Sequence, residues 1–288
     1  MKNIFLFLSL IPAFIVAQTP NSLLWKVSKD GSKHTSYLFG TMHTNDSLLN
    51  TFDQTWHKAV KSCDMLAGEI NMTDPNELMS MMTAGMMKDS VLKDFYTEDE
   101  FKRVQKFINA NVDAMTAMII TKMKPFYIMA AIMEAPSEDS PYKMVMDMRL
   151  MDMAKKNNVK VVGLETSKEQ AASIDVISLR EQAKMLLEYV DSGETTDKEM
   201  ELMEKHYYEQ NLDALLASQK DFDAPEVLLR SIIDGRNQRF AEHLLPNLET
   251  NNVFCAVGAL HLPGETGLIA SLKKAGYRVE PVPFQFGE

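Results

Sequence analysis

Residues Asn252–Val279 read NVFCAVGALHLPGETGLIASLKKAGYRV and hold, in order, a strand, a loop, a helix and a second strand. Val253–Val257 is a continuous apolar run of strand length, the pattern of a strand buried on both faces. It stops at Gly258, and His261 follows three residues later. Leu262, Pro263 and Gly264 form a loop, Thr266–Lys274 reads as a helix closed by Gly276 at its C′ position, and Tyr277–Val282 reads as a last strand. An imidazole therefore stands just past the carboxyl end of a buried strand, where ligands and chemistry collect in open α/β sheets.

The same device occurs near the other end of the chain. Thr35–Phe39 reads as a strand, Gly40 breaks it, and Thr41-Met42-His43 follows. With 12 Gly and 6 His in 288 residues, chance supplies about a quarter of one G-x-x-H match. Two matches, each directly after an apolar strand, point to one shared site.

Ahead of both motifs, Leu23–Val27 reads as a first strand and Lys29–Ser32 as a hairpin turn. Asp53–Ser62 has helical spacing, and Met65–Ile70 is a short strand carrying Glu69. That order predicts a β-α-β unit in which His43 and Glu69 leave neighbouring strand ends. Val159–Leu164 is a further strand, followed at once by Glu165. Helical patterns fill about 74–157 and 168–248. Asp74-Pro75 and Thr97–Glu100 carry helix-start signals, Pro136–Pro141 is a polar break, Asp191–Thr196 a turn, Lys198–Leu216 one long helix, and Asp234-Gly235 an interruption. The expected fold is α/β: a single discontinuous domain with a central mostly parallel or mixed sheet and large helical insertions.

Lys2 and the apolar run Ile4–Val16 form a secretory signal peptide with cleavage expected after Ala17, so 1–17 is excluded from the folded domain of 18–288. The protein is expected to be secreted or periplasmic, with no stable membrane anchor after signal cleavage. The net charge of −10 and the lack of a basic stripe exclude nucleic acid as an expected partner. Cys63 and Cys255 are expected as buried free thiols rather than a disulfide, since a core of this size needs no staple. Seventeen of the 22 methionines fall between Met65 and Met153. They suit a pliable apolar core, or an adaptable groove for a peptide or lipid. Thioether binding of Cu(I) is disfavoured, because Met144, Met146, Met148, Met151 and Met153 spread round a helix instead of lining one face.

His43, Glu69, Glu165 and His261 all lie at or just after strand ends, a set of donors that suits a divalent metal. Imidazole accepts Zn, Co, Mn or Fe, and carboxylate moves the preference towards harder ions such as Mn. No H-E-x-x-H helix, C-x-x-C pair, G-x-S-x-G elbow or Gly-rich phosphate loop is present. His34, His57, His206 and His243 read as exposed or helix-surface residues. Arg236, beside Asn237, is positioned to hold a substrate carboxylate or to pair with Glu165.

LFGTMH (Leu38–His43), AGEI (Ala67–Ile70), VVGLET (Val161–Thr166), DGRNQRFAEHL (Asp234–Leu244) and AVGALHLPGETGLIASLKKAGYRV (Ala256–Val279) together resemble the TraB/GumN family, which includes the Tiki metalloproteases. The resemblance runs from about residue 22 to 283 and implies a metal-dependent hydrolytic centre built on the two G-x-x-H motifs. It matches His43 and His261 to the motif histidines, Glu69 and Glu165 to the family's acidic residues, and Arg236-Asn237 to its R-N pair. Tiki-type members use Mn or Co and cleave secreted signalling proteins; neither their membrane location nor their substrate is carried over.

The expectation is a metal-dependent hydrolase acting on a peptide or protein substrate, with Mn or Co ahead of Zn. His43, His261 and Glu165 are expected as metal ligands, Glu69 as general base and Arg236 as the group that orients substrate or stabilises an oxyanion, the two glutamates being interchangeable on this reading. The alternative is a non-catalytic peptide- or signal-binding protein using the Met-rich helices as its groove.

Overall fold

A computed structural model describes residues 21–43, 51–133, 144–192, 194–219 and 224–287. The expected signal peptide and the expected break at Pro136–Pro141 lie outside the described residues. Six strands form one mixed sheet: β1 (Leu24–Ser28), β2 (Thr35–Thr41), β3 (Met65–Gly68), β4 (Lys160–Gly163), β5 (Val253–Gly258) and β6 (Arg278–Pro281). Their spatial order is β4-β3-β5-β2-β1-β6. β4, β3, β5 and β2 run parallel, while β1 pairs antiparallel with both β2 and β6. The apolar run of β5 is buried through Val257, as its sequence requires of a strand covered on both faces.

One expectation about the sheet is corrected. β2 and β3 are consecutive in the chain but are not neighbours, because β5 lies between them and pairs with each. The β-α-β unit therefore straddles a gap that a strand from the far end of the chain fills. Thr41 stands opposite Gly258 and Gly68 opposite Ala256. The loops after β2, β5 and β3 consequently leave the same end of the sheet side by side.

Thirteen α-helices are described: α1 (Gln54–Lys61), α2 (Pro75–Gly85), α3 (Glu98–Asn111), α4 (Ala114–Ile120), α5 (Pro125–Met133), α6 (Met146–Lys156), α7 (Ser167–Ile174), α8 (Leu179–Ser192), α9 (Glu194–Tyr208), α10 (Leu212–Ser218), α11 (Glu226–Arg230), α12 (Arg236–Leu248) and α13 (Leu268–Lys274). Their starts follow the local signals. Asp74 caps α2 ahead of Pro75, and Thr97 with Glu100 forms a capping box on α3. Gly276, at φ +86°, ends α13 in the left-handed region.

The main core packs helices against the sheet, with Trp56 of α1 edge-on to Phe39 and Phe254 at 5.6 and 5.7 Å. A second, smaller core joins α3, α4, α5 and α8, and includes Val104, Ile108, Ile120, Ile128 and Leu186. The two insertions thus share an apolar interior of their own. Both cysteines are free and buried in the main core.

The helical blocks differ from expectation in three places. The turn expected over Asp191–Thr196 is mostly helix, since α8 runs to Ser192 and α9 starts at Glu194. The long helix expected over Lys198–Leu216 is two helices. Gln210 adopts a positive φ of 54°, and Asn211 accepts from Ala214 N to cap α10. At Asp234-Gly235 the helix widens into a π-turn, Ser231–Gly235, and continues into α12 with helical dihedrals at Gly235. Such a turn shifts the helical register, and the first residue after it is Arg236.

Candidate active site

The G-x-x-H glycine of β2 is required by close approach to the other motif. A Cβ at Gly40 would lie 3.0 Å from Ala259 Cα and 3.1 Å from Ala259 Cβ. The buried Tyr207 hydroxyl donates to Gly40 O at 2.8 Å and ties α9 to this strand end. Beyond it, Thr41 Oγ1 donates to Asp147 Oδ1 at 2.9 Å, and His43 Nε2 lies 3.4 Å from Asp147 Oδ2. His43 is the exposed member of the site, with 43% of its side chain accessible.

After β5, a 3-10 turn, Ala259–His261, carries the second histidine into the interior, where it is 4% exposed. His261 Nδ1–H donates to Asn237 Oδ1 at 2.7 Å, and Phe240 packs edge-on against the ring at 5.0 Å. This partner fixes the ring orientation and makes Nε2 the acceptor atom, with Arg236 Nη1 at 3.4 Å and Glu69 Oε1 at 3.8 Å. Burial depresses the His261 pKa to about 4, helped by Arg236 and His43 and opposed by Glu69, so the ring is neutral at physiological pH.

The two glutamates sit in different surroundings. Glu69 Oε1 accepts from Gly258 N at 2.8 Å, and Arg236 Nη2 donates to Oε2. Burial alone would raise the Glu69 pKa, but Arg236, His261, the Gly258 N–H and His43 outweigh it and hold the carboxyl well below the usual range. Glu165 is held by its main chain beside Glu69, donating from N to Glu69 O at 2.9 Å. Its carboxylate is fully enclosed: Arg236 Nε donates to Oε1 at 2.7 Å, and Arg239 Nη2 to Oε2 at 2.9 Å. Both oxygens thus face guanidinium groups, an arrangement that leaves Glu165 as a brace for Arg236. The residue expected as a metal ligand is thus placed in ion pairs with Arg236 and Arg239.

Arg236 lies between Glu69 and Glu165 with 10% of its side chain exposed. Burial works against its charge, but the two carboxylates prevail and raise its pKa. The sequence reading of an Arg236–Glu165 pair is therefore met, with Glu69 as a second partner.

Asp147 was missed. A signal existed: it falls one turn before Leu150 and Met151, on the buried stripe of an otherwise apolar helix face. Its Oδ2 is buried with no hydrogen-bond donor among the described residues. Burial raises its pKa, with the charge of Glu69 adding to the effect and His43 and Thr41 opposing it. Arg239 was also missed, hidden as one more arginine on a helix. His34, His57, His206 and His243 do not line the site.

His43, Glu69, Asp147 and Arg236 form the polar end of one cavity of about 420 Å³. Among the described residues, no three His, Cys, Asp or Glu side chains stand together in metal-binding geometry. The donors are instead arranged as two facing pairs, His43 with Asp147 and Glu69 with His261.

Fold and site together define an α/β protein with paired G-x-x-H motifs converging at one sheet end beside a buried arginine–carboxylate cluster. The profile of the TraB/PrgY/gumN family matches residues 23–281, and the chain belongs to that family. No curated protein matches the chain, and neither does any solved structure. Among the described residues, no helix is long and apolar enough to cross a membrane.

Proposed function

We propose that this protein is a metal-dependent hydrolase acting on peptide bonds outside the cytoplasm, as a secreted or periplasmic enzyme. The observation that carries the reading is the parallel pairing of β2 with β5, Thr41 opposite Gly258, which brings the two motif loops to one sheet end: His43 lines the cavity with Glu69 and Asp147, and His261 lies buried behind Glu69, its Nε2 3.8 Å from Glu69 Oε1. The residues fit a divalent ion in their chemistry: two imidazoles, one of them oriented and neutral, and carboxylate oxygens, including Asp147 Oδ2, which is buried 3.4 Å from His43 Nε2 and accepts no hydrogen bond from the described residues. His43, His261 and Glu69 would hold it. The mixture of imidazole and carboxylate favours Mn or Co over Zn. When bound, the ion supplies Lewis acidity and a lowered pKa for water.

The remaining roles belong to the chain itself. Asp147 receives a proton from the attacking water at Oδ2, in place of Glu69, whose carboxyl is held too acidic by Arg236 to be a good base. Thr41 and His43 fix the Asp147 carboxylate in place. Asn237 holds the His261 ring through Nδ1. Arg236, braced by Glu165, presents fixed positive charge to the oxygen on which negative charge develops.

The test is metal content and peptide-cleavage rate of the purified protein beside His43→Ala and His261→Ala, with Mn, Co or Zn added. Stoichiometric metal in the parent and its loss in both variants is expected. Equal metal content in all three proteins overturns the reading.

A further inference from the structure

The polar groups above occupy only one end of the cavity. The rest of the wall comes from α2, α5, α6, α7, the π-turn, the α4–α5 link and the chain after β3, and six of its residues are methionines: Met72, Met81, Met82, Met123, Met148 and Met151. Phe126, Tyr127 and Ile174 are among the other apolar and aromatic residues of the lining. Met82 and Met148 line the cavity and are 55% and 38% exposed, so it reaches the surface between α2 and α6. The charged side chains that line it, His43, Glu69, Asp147 and Arg236, are those of the catalytic end.

We infer that this cavity is the subsite for a large apolar side chain of the substrate peptide, next to the bond that is cleaved. The inference rests on the hydrolytic reading for the bond, but the cavity's preference stands on its walls. A volume of about 420 Å³ holds a Met, Leu or Phe side chain with part of the adjoining backbone. An aspartate or lysine side chain would meet thioether and aromatic carbon with no partner for its charge. Unbranched, polarizable methionine side chains repack round differently shaped guests, so the wall selects a class of side chain rather than one residue. Peptide is favoured over a fatty acyl chain because Tyr127 and Gln170 stand in the lining together with the four ionisable side chains, and a peptide backbone carries donors and acceptors for such groups where an acyl chain carries none.

The test uses the full mature protein and a panel of hexapeptides with a single variable position, Met, Leu, Phe, Ala or Asp. Equilibrium binding to the metal-free protein and kcat/KM of the Mn-loaded protein are measured separately. Met, Leu and Phe peptides are expected to bind roughly 10–100-fold more tightly than Ala or Asp peptides. Ala130→Phe, which fills the cavity from α5, should reduce that preference to within about threefold and leave metal content unchanged. Met148→Ala, at a half-open position where folding is not at risk, should move the preference towards Phe. Preference in binding without cleavage supports the subsite and removes the hydrolytic reading. Equal binding and cleavage of Ala and Met peptides overturns the subsite and leaves that reading in place. Binding of dodecanoate with none of the peptides bound overturns the subsite in favour of an acyl pocket.

Discussion

Glu165→Gln separates a structural brace from a metal ligand. The Glu165 carboxylate is fully enclosed and faces Arg236 on one oxygen and Arg239 on the other. The substitution keeps the shape, removes the negative charge and turns an NH₂ group towards a guanidinium that also donates. Breaking a buried ion pair by removing one partner costs about 3–5 kcal/mol. Two features place this case at or below the low end. Arg236 keeps Glu69, and Arg239 is 27% exposed with Ser173 Oγ as a further acceptor. A loss of about 3 kcal/mol is therefore expected. At roughly 2 cal/mol/K per residue of unfolding entropy, a chain of this size should melt about 5 °C lower. Thermal melts are run in chelator and again with saturating Mn. A brace lowers both melting points by similar amounts, because the lost contacts exist without metal. A ligand leaves the chelated protein unchanged and abolishes only the stabilisation that metal adds by mass action. The second pattern would refute the brace and return Glu165 to the metal.

Asp147→Asn should retain metal and lower turnover by about 10²–10⁴-fold, with little loss of stability in chelator because burial already disfavours the Asp147 charge and the amide oxygen can still accept from Thr41; metal titration and single-turnover rates check it, and loss of metal would make Asp147 a ligand instead. Gly40→Ala should cost about 1–3 kcal/mol, since the added methyl meets Ala259 main chain at 3.0 Å and drives the two motif loops apart; a urea melt matching the parent would contradict that contact. Tyr207→Phe removes the hydroxyl that donates to Gly40 O and should destabilise the fold by about 1–2 kcal/mol, read from the shift in denaturation midpoint. Cys63, whose pKa burial pushes up to about 12, and Cys255, raised further by its deeper burial, should ignore a thiol reagent at pH 8 in the native state. Both should react once unfolded without reductant, and recovery of fewer than two thiols would disprove the free pair.

Local signals in the sequence carried the strands, most helix starts and the two histidines. An apolar run such as Val253–Val257 can only be a covered strand, and a glycine that ends it places the next polar residue at the strand's carboxyl end. Thr97 with Glu100, Asp74 with Pro75, and Gly276 each mark a helix end by backbone chemistry that acts within four residues. The break at Asn211 was legible in the same terms but was outweighed by the apolar spacing on either side of it. Strand order was not legible, because periodicity states that β2, β3 and β5 are buried and is silent on which pair; only packing put β5 between the other two. For the same reason the division of labour among the carboxylates was hidden. Glu69 and Glu165 follow strands alike in sequence, yet one reaches the cavity with an open side and the other is enclosed by two arginines from α12. Asp147 enters the site through α6, 104 positions after His43, by a contact between a helix face and a strand end. Charges and lone pairs act through space over a few ångströms, so their roles were decided by the tertiary structure, whereas the elements that carry them were determined by the sequence alone.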